Sequence, residues 1–332
     1  MSLSVPSDDV VASDRPVLVS LLPSRAMPGI LREGLEQCGR LYFWPEMRYE
    51  EQERIGSLAS VLIGTASSRV TAEVLRRFPA CRMIASFGVG YDGYDMAALK
   101  RRGIVLTNTP NVLSDDVADL AFAMILSLSR GLPRADSWLR EGRWPDGGFP
   151  LQTRVSGKRL GIFGLGRIGS EIARRGEAFR MQIGYTDLTG KNTKWQRFPT
   201  LKELAVWSDY LVVIVPATEA THHVVDAEIL MALGTKGYQS CYLRAINVAR
   251  GSVVNTKALI DALKTRTIAG AGLDVFENEP YVEAELKALP NTILTPHIGT
   301  ATLETRRMMA DLVVRNVHAF VNGNKPITPV AN

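Results

Sequence analysis

KRLGIFGLGRIGS, Lys158 to Ser170, decides the fold. A short apolar run (Leu160, Ile162, Phe163) leads into Gly164-Leu165-Gly166-Arg167-Ile168-Gly169, and helix formers follow from Ser170 to about Phe179. The order is strand, glycine turn, helix. In a turn of this spacing the first glycine permits a tight reversal. The second lets a pyrophosphate approach the backbone, and the third lets helix and strand pack closely. The helix start then offers free N–H groups and a partial positive charge to phosphates. A second strand, Gln182–Thr186, ends at Asp187, about 20 residues on, where an acid grips ribose hydroxyls. Gly164, Gly166, Gly169 and Asp187 are therefore expected at a dinucleotide.

The pattern continues outward on both sides. Downstream, further strands are expected at Tyr210–Val215, Ala245–Val248, Ala271–Val275 and Ile293–Thr295, with helices between them such as Leu201–Ser208 and Thr256–Thr265. Upstream, Pro16–Leu22, Ala59–Ile63, Cys81–Phe87 and Ile104–Thr107 read as strands. Helices are expected over Met27–Cys38, Thr71–Phe78 and Asp95–Arg102, the last stopped by Gly103. A βα alternation is thus complete before Lys158, and a second begins there. The expected fold is α/β, with two Rossmann-like doubly wound parallel-sheet domains and an active-site cleft between them. Residues 15–108, completed by a C-terminal helix 299–330, form the substrate-binding domain, and residues 109–298 the dinucleotide-binding domain. A long helix opens at Ser114, with Asp115 and Asp116 in its favourable first turn.

Composition narrows the function. The chain has 332 residues and a formal net charge of +5, but its basic residues are scattered among acids. A solvated surface is expected, and no nucleic-acid partner. Three distant cysteines, Cys38, Cys81 and Cys241, make no disulfide framework and suit a reducing cytoplasm. The opening stretch reads as a polar tail and not as a signal peptide. The most apolar segment, Val117–Leu128, is too short to span a bilayer, so no membrane role is expected.

Three residues follow expected strand ends in the second unit: Arg250, Glu279 and His297. Ligands of open α/β sheets bind off such ends. Together the three suggest carbonyl reduction, in which a cofactor carries the hydride. Arginine pairs both oxygens of a carboxylate. Histidine titrates near neutrality and can protonate a carbonyl. A glutamate on the far ring nitrogen favours the donating imidazolium. The adjacent His222 and His223 could suggest a metal, but neighbouring side chains rarely converge on one ion and no third ligand is evident. No metal is expected.

Six stretches carry a family resemblance: SFGVGYDGYD (86–95), TNTPNVLSDDVADLAFAMILSLSR (107–130), GIFGLGRIGSEIARR (161–175), INVARGSVV (246–254), AGLDVFENEP (271–280) and LTPHIGTAT (294–302). In order and spacing they resemble the D-isomer-specific 2-hydroxyacid dehydrogenases, most of all the glyoxylate/hydroxypyruvate and hydroxyphenylpyruvate reductases. The resemblance implies a reductase of small 2-keto acids. Arg250 would bind the substrate, His297 would donate the proton, and Glu279 would be its partner. Val89 and Gly90 would hold the carboxylate, and Arg167 and Ile168 would touch the pyrophosphate. Asp274, with Gly299 beside it, would lie near the nicotinamide. A homodimer is implied, built on the segment from about 111 to 150, with Trp144 either reaching a neighbour's substrate site or serving as a plain interface or loop residue.

Two departures from the family stand out. NADP-using relatives carry Ser-Arg-Ser where this chain has Asp187, Leu188 and Thr189, so NAD is expected. Lys191 and Lys194 leave NADP possible. About six extra residues at Gly237–Arg244 either bulge harmlessly or disturb the strand before Arg250. A dinucleotide-sensing corepressor-like protein is the alternative function, and turnover would separate the two.

Overall fold

The computed structural model describes residues 15–234 and 244–330. The chain divides into two units. The first takes the chain as far as Val112 and again from Thr302, and the second spans Leu113–Ala301.

The first unit is a five-stranded parallel sheet of β1 (Val17–Ser20), β2 (Arg40–Phe43), β3 (Ala59–Gly64), β4 (Met83–Ser86) and β5 (Val105–Thr107), in the order β2-β1-β3-β4-β5. β1 and β4 are buried along their whole length, as strands covered by helices on both faces must be. Thr71 caps the helix Ala72–Arg76 through the Val74 amide, and Asp95 caps Met96–Arg102 through the Ala98 amide. Gly103, at φ 62°, ends the latter in the left-handed region.

The closing helix, Leu303–Val321, packs on the helix Gly29–Cys38, where Gly34 leaves room for Val314. Fully buried Asn316 holds the end of the chain: its amide donates to Leu312 O and Thr328 Oγ1, and its oxygen accepts from the Ile327 and Thr328 amides.

The second unit is a seven-stranded parallel sheet: β6 (Arg159–Phe163), β7 (Gln182–Thr186), β8 (Gln196–Arg197), β9 (Tyr210–Val213), β10 (Arg244–Asn247), β11 (Gly270–Leu273) and β12 (Thr292–Leu294). The order is β12-β11-β10-β9-β6-β7-β8. Its core gathers Leu211, Val213, Leu230, Leu259, Leu263 and Ile268 among others, all buried. Arg175 ties the helix Arg167–Ala178 to the helix Ser114–Arg130 through Asp115 (3.0 Å) and Asp119 (2.6 Å).

Some elements escape a reading of periodicity. β2 and β8 are short edge strands without a buried face. The helix Tyr49–Leu58 buries only Ile55 and Gly56, so its apolar period is faint. The helix Ala227–Gly234 is a further addition. The helix that opens at Ser114 ends at Arg130, near the expected end at about Ser129, and a second helix, Leu132–Arg140, follows Gly131 at φ 61°.

Residues 237–243 of the extra stretch, Cys241 included, lie outside the described residues, as does the tail before Arg15. The strand they precede is intact. Arg244 pairs with Tyr210 on one side and Gly270 on the other, and its buried guanidinium lies 5.7 Å from the Tyr210 ring.

Candidate active site

β6 and β9 are neighbours, although the chain runs from β6 to β7 and β8 on one side and from β9 to β10, β11 and β12 on the other. This reversal leaves a crevice off the strand ends, where ligands of such sheets bind. The glycine turn fills that position. Gly164 has φ 103°, and a Cβ there would lie 2.6 Å from Ile214 O. A Cβ on Gly169 would lie 2.1 Å from Gly164 O. Both glycines serve the fold.

Gly166 differs. A Cβ there would meet nothing within 4 Å, and Gly166 and Arg167 are exposed at the start of the helix, with Ile168 half-buried behind them. No acid stands in that helix's first turn, so its N–H groups and dipole are left uncompensated by side chains. Asp187, at the end of β7, accepts a hydrogen bond from the Leu165 amide through Oδ2 (2.9 Å). Open space above Gly166, a bare helix start and an acid beside the turn fit a pyrophosphate and a ribose.

The second cluster follows β10, β11 and β12. Arg250 lies just beyond β10. Buried Asn247 fixes its turn, donating to Arg250 O (2.9 Å) and accepting from the Ala249 amide (3.1 Å). The half-buried Arg250 side chain donates to Ala249 O (2.8 Å). Gly251 follows, where a Cβ would lie 1.9 Å from the carbonyl carbon of Phe276. The Arg250 turn therefore packs backbone to backbone on the loop that carries Glu279.

His297 has φ 53°, an uncommon value for a residue with a side chain. Asp274 holds it there. The Asp274 carbonyl accepts from the His297 amide (2.9 Å), and its buried carboxylate accepts from Thr295 Oγ1 (2.6 Å), the Ile298 amide (2.8 Å) and the Gly299 amide (2.8 Å). The imidazole donates from Nδ1 to Glu279 Oε2 (2.8 Å), and Glu279 Oε1 accepts from the Phe276 amide (3.0 Å). Burial opposes ionisation of Glu279. The hydrogen bond and charge of His297, the Phe276 amide and the Arg250 charge outweigh it and hold the carboxyl below its usual range. His297 is 46 % exposed, and among the described residues its Nε2 has no partner. A His–Glu pair with one ring nitrogen open, within reach of the Arg250 charge, can bind a carboxylate and protonate an oxygen.

The remaining expected residues stand elsewhere. Val89 and Gly90 follow β4 in the first unit. Their loop is anchored by Asn108, which donates to Val89 O (2.9 Å), and by the Thr109 amide, which donates to Gly88 O (2.9 Å). Among the described residues the Val89 and Gly90 amides have no acceptor. Trp144, in a short turn of the second unit, is 67 % exposed.

Local spacing did not point to Asn247 as a clamp, or to the pairing of His223 with Glu277 (2.8 Å). His222 stacks on His223, ring centroids 4.0 Å apart. Among the described residues no group of three metal-ligating side chains occurs, and no helix is long and apolar enough to cross a membrane.

Comparison with known proteins agrees with this geometry. Residues 122–299 match the family model described as D-isomer specific 2-hydroxyacid dehydrogenase, NAD binding domain. A glyoxylate/hydroxypyruvate reductase of Arabidopsis thaliana is 45 % identical over 94 % of this chain and 99 % of its own length. A hydroxyphenylpyruvate reductase of Plectranthus scutellarioides is 43 % identical, over 81 % of this chain and 84 % of its own. The solved structure of an NADPH-dependent glyoxylate/hydroxypyruvate reductase from Sinorhizobium meliloti, in complex with NADP and malonate, superposes with a TM-score of 0.86. It is 40 % identical and covers 96 % of this chain and 97 % of that one. A nucleotide turn at the sheet's switch point and an Arg–Glu–His cluster on adjacent strand ends, with relatives this similar along nearly the whole chain, lead to one conclusion: the chain belongs to the D-isomer-specific 2-hydroxyacid dehydrogenase family, as an NAD(P)-dependent oxidoreductase that reduces 2-keto acids to 2-hydroxy acids.

Proposed function

We propose that this protein reduces small 2-keto acids, glyoxylate and hydroxypyruvate foremost, to the D-2-hydroxy acids, with NADH preferred over NADPH. The observation that carries the reading is the His297–Glu279 pair at 2.8 Å, with Nε2 of His297 open and Arg250 acting on the same carboxylate. A bound nicotinamide dinucleotide supplies the hydride. Arg250 binds the substrate carboxylate through its planar fork. The imidazolium of His297 gives its Nε2 proton to the carbonyl oxygen, and Glu279 stabilises the charge before transfer and orients the ring. Asp274 acts by holding the His297 turn. Three of its roughly four acceptor positions are occupied, leaving one for a carboxamide.

The preference for NADH rests on Asp187, whose carboxylate beside the glycine turn suits ribose hydroxyls and repels a 2′-phosphate. A homodimer is supported by exposed Leu132, Leu139, Trp144 and Leu151 within one short segment, apolar side chains that a partner could cover. Buried free thiols at Cys38 and Cys81 support a cytoplasmic setting. The test is loss of absorbance at 340 nm with NADH, and separately NADPH, against glyoxylate, hydroxypyruvate, pyruvate and an aryl pyruvate. Turnover on the two small acids with a lower KM for NADH is expected. NADH binding without turnover on any of them would overturn the reading in favour of a dinucleotide-sensing role.

A further inference from the structure

A second His–Glu pair lies behind the first. His223 donates from Nε2 to Glu277 Oε2 (2.8 Å), and both side chains are partly buried. The other oxygen of Glu277 accepts from the Thr256 amide (2.8 Å), at the start of the helix Thr256–Lys264. Burial disfavours the Glu277 charge, but the hydrogen bonds from Thr256 and His223 outweigh it, so the group is a carboxylate at neutral pH. Nδ1 of His223 accepts from Asn255 Nδ2 (3.5 Å). The His223 amide donates to Ser252 O (2.8 Å), two residues past Arg250. His223 has φ 51°, a value kept by a residue with a side chain only where its surroundings hold it. All of its polar groups in these contacts face two segments, the turn after Arg250 and the loop before Glu279.

Those two segments carry the proposed chemistry. Glu277 is two residues from Glu279, and the Phe276 amide between β11 and Glu277 is the donor that fixes Glu279 Oε1. Gly251 permits no side chain because the backbone of Phe276 and Glu277 presses against it. Moving Glu277 therefore moves Phe276, and with it both the Glu279 carboxylate and the Arg250 turn.

We propose that His223 is a positioning residue for the reaction: its imidazole pins Glu277, and through that backbone it sets the placement of Arg250 and of the Glu279–His297 pair. The inference rests on the site reading above. Reacting groups displaced by about 1 Å cost on the order of 100-fold in rate. His223→Ala is expected to lower kcat/KM for glyoxylate by about 10–100-fold, mostly in kcat. The dissociation constant for NADH, read by fluorescence, should change less than threefold, because the glycine turn and Asp187 lie on other strands. His223→Gln places an amide nitrogen near the position of Nε2 and is expected to restore most of the loss. Glu277→Gln should resemble His223→Ala, and it keeps the test open where the alanine variant does not fold.

Wild-type kcat/KM in His223→Ala and Glu277→Gln would overturn the inference. So would a glutamine variant as poor as alanine, or a loss of NADH affinity parallel to the loss of rate. His297→Gln and Arg250→Met are assayed alongside. Wild-type rates in those two would sink the site reading itself, whereas their loss beside an unaffected His223→Ala would sink only the positioning role.

Discussion

Replacing Glu279 with glutamine removes one charge and keeps the shape, which isolates what the carboxylate does for His297. The Nδ1–Oε2 bond is 2.8 Å, with the histidine 46 % and the glutamate 31 % exposed. A buried hydrogen bond to a charged group contributes about 1.5–3 kcal/mol. A solvated ion pair contributes less than about 1 kcal/mol. A half-exposed pair falls between them, at about 1.4 kcal/mol, which equals about a factor of ten.

The sign follows from which form donates. Nε2 must carry the proton it gives, and the carboxylate stabilises the ring as it carries it, so kcat/KM for glyoxylate at neutral pH should fall about tenfold in Glu279→Gln. The acid side behaves differently. The Glu279 carboxyl is held below its usual range, so in the wild type the pair persists through neutral pH, and its contribution is lost only as pH falls through that lowered range. The gap between variant and wild type should then narrow toward acid pH. The assay is NADH oxidation across pH at saturating cofactor, with glutamine able to keep the Phe276 amide bond as an acceptor. Equal kcat/KM in both proteins at neutral pH, or a gap that widens toward acid pH, would refute the assignment of Glu279 as the partner of His297.

Other perturbations separate fold from function. His297→Gln should lower kcat by about 10²–10⁴-fold, the share of a general acid, with NADH affinity retained in a fluorescence titration. Gly166→Ala should leave the melting temperature unchanged, because the new methyl meets nothing, yet weaken NADH binding. Gly169→Ala should instead destabilise by about 1–3 kcal/mol in chemical denaturation, because its methyl is forced against Gly164 O. Asp187→Asn keeps an acceptor for the Leu165 amide and removes the charge that repels a 2′-phosphate. The KM for NADPH should fall at least about fivefold, the effect of about 1 kcal/mol of relieved repulsion in a watery setting, while the KM for NADH rises.

Much of this architecture was legible because its signals are local. The glycine turn, the apolar strands β1, β4, β7 and β9, the caps at Thr71 and Asp95 and the stop at Gly103 each depend on residues within a few positions of one another. The elements that escaped have little to bury. β2 and β8 are edges, and the helix Tyr49–Leu58 presents a mostly polar surface, so neither period is strong enough to register.

The site divides along the same line, and the two His–Glu pairs show why. Placement of Arg250, Glu279 and His297 after separate strands could be argued from spacing, since a parallel sheet brings strand ends to one edge. Their pairing could not: the partners of the His297 bond are 18 positions apart and those of the His223 bond 54, and no local rule links such positions. Sequence also shows four histidines on an equal footing. What distinguishes the two pairs is the second ring nitrogen. In His297 Nδ1 is spent on Glu279, and among the described residues Nε2 stays open, which leaves a proton to give. In His223 Nε2 is spent on Glu277 and Nδ1 faces Asn255, which leaves nothing to transfer. The same two residue types, each with a left-handed histidine, thus make an acid in one place and a brace in the other. The difference lies in hydrogen bonds that only the folded chain can close.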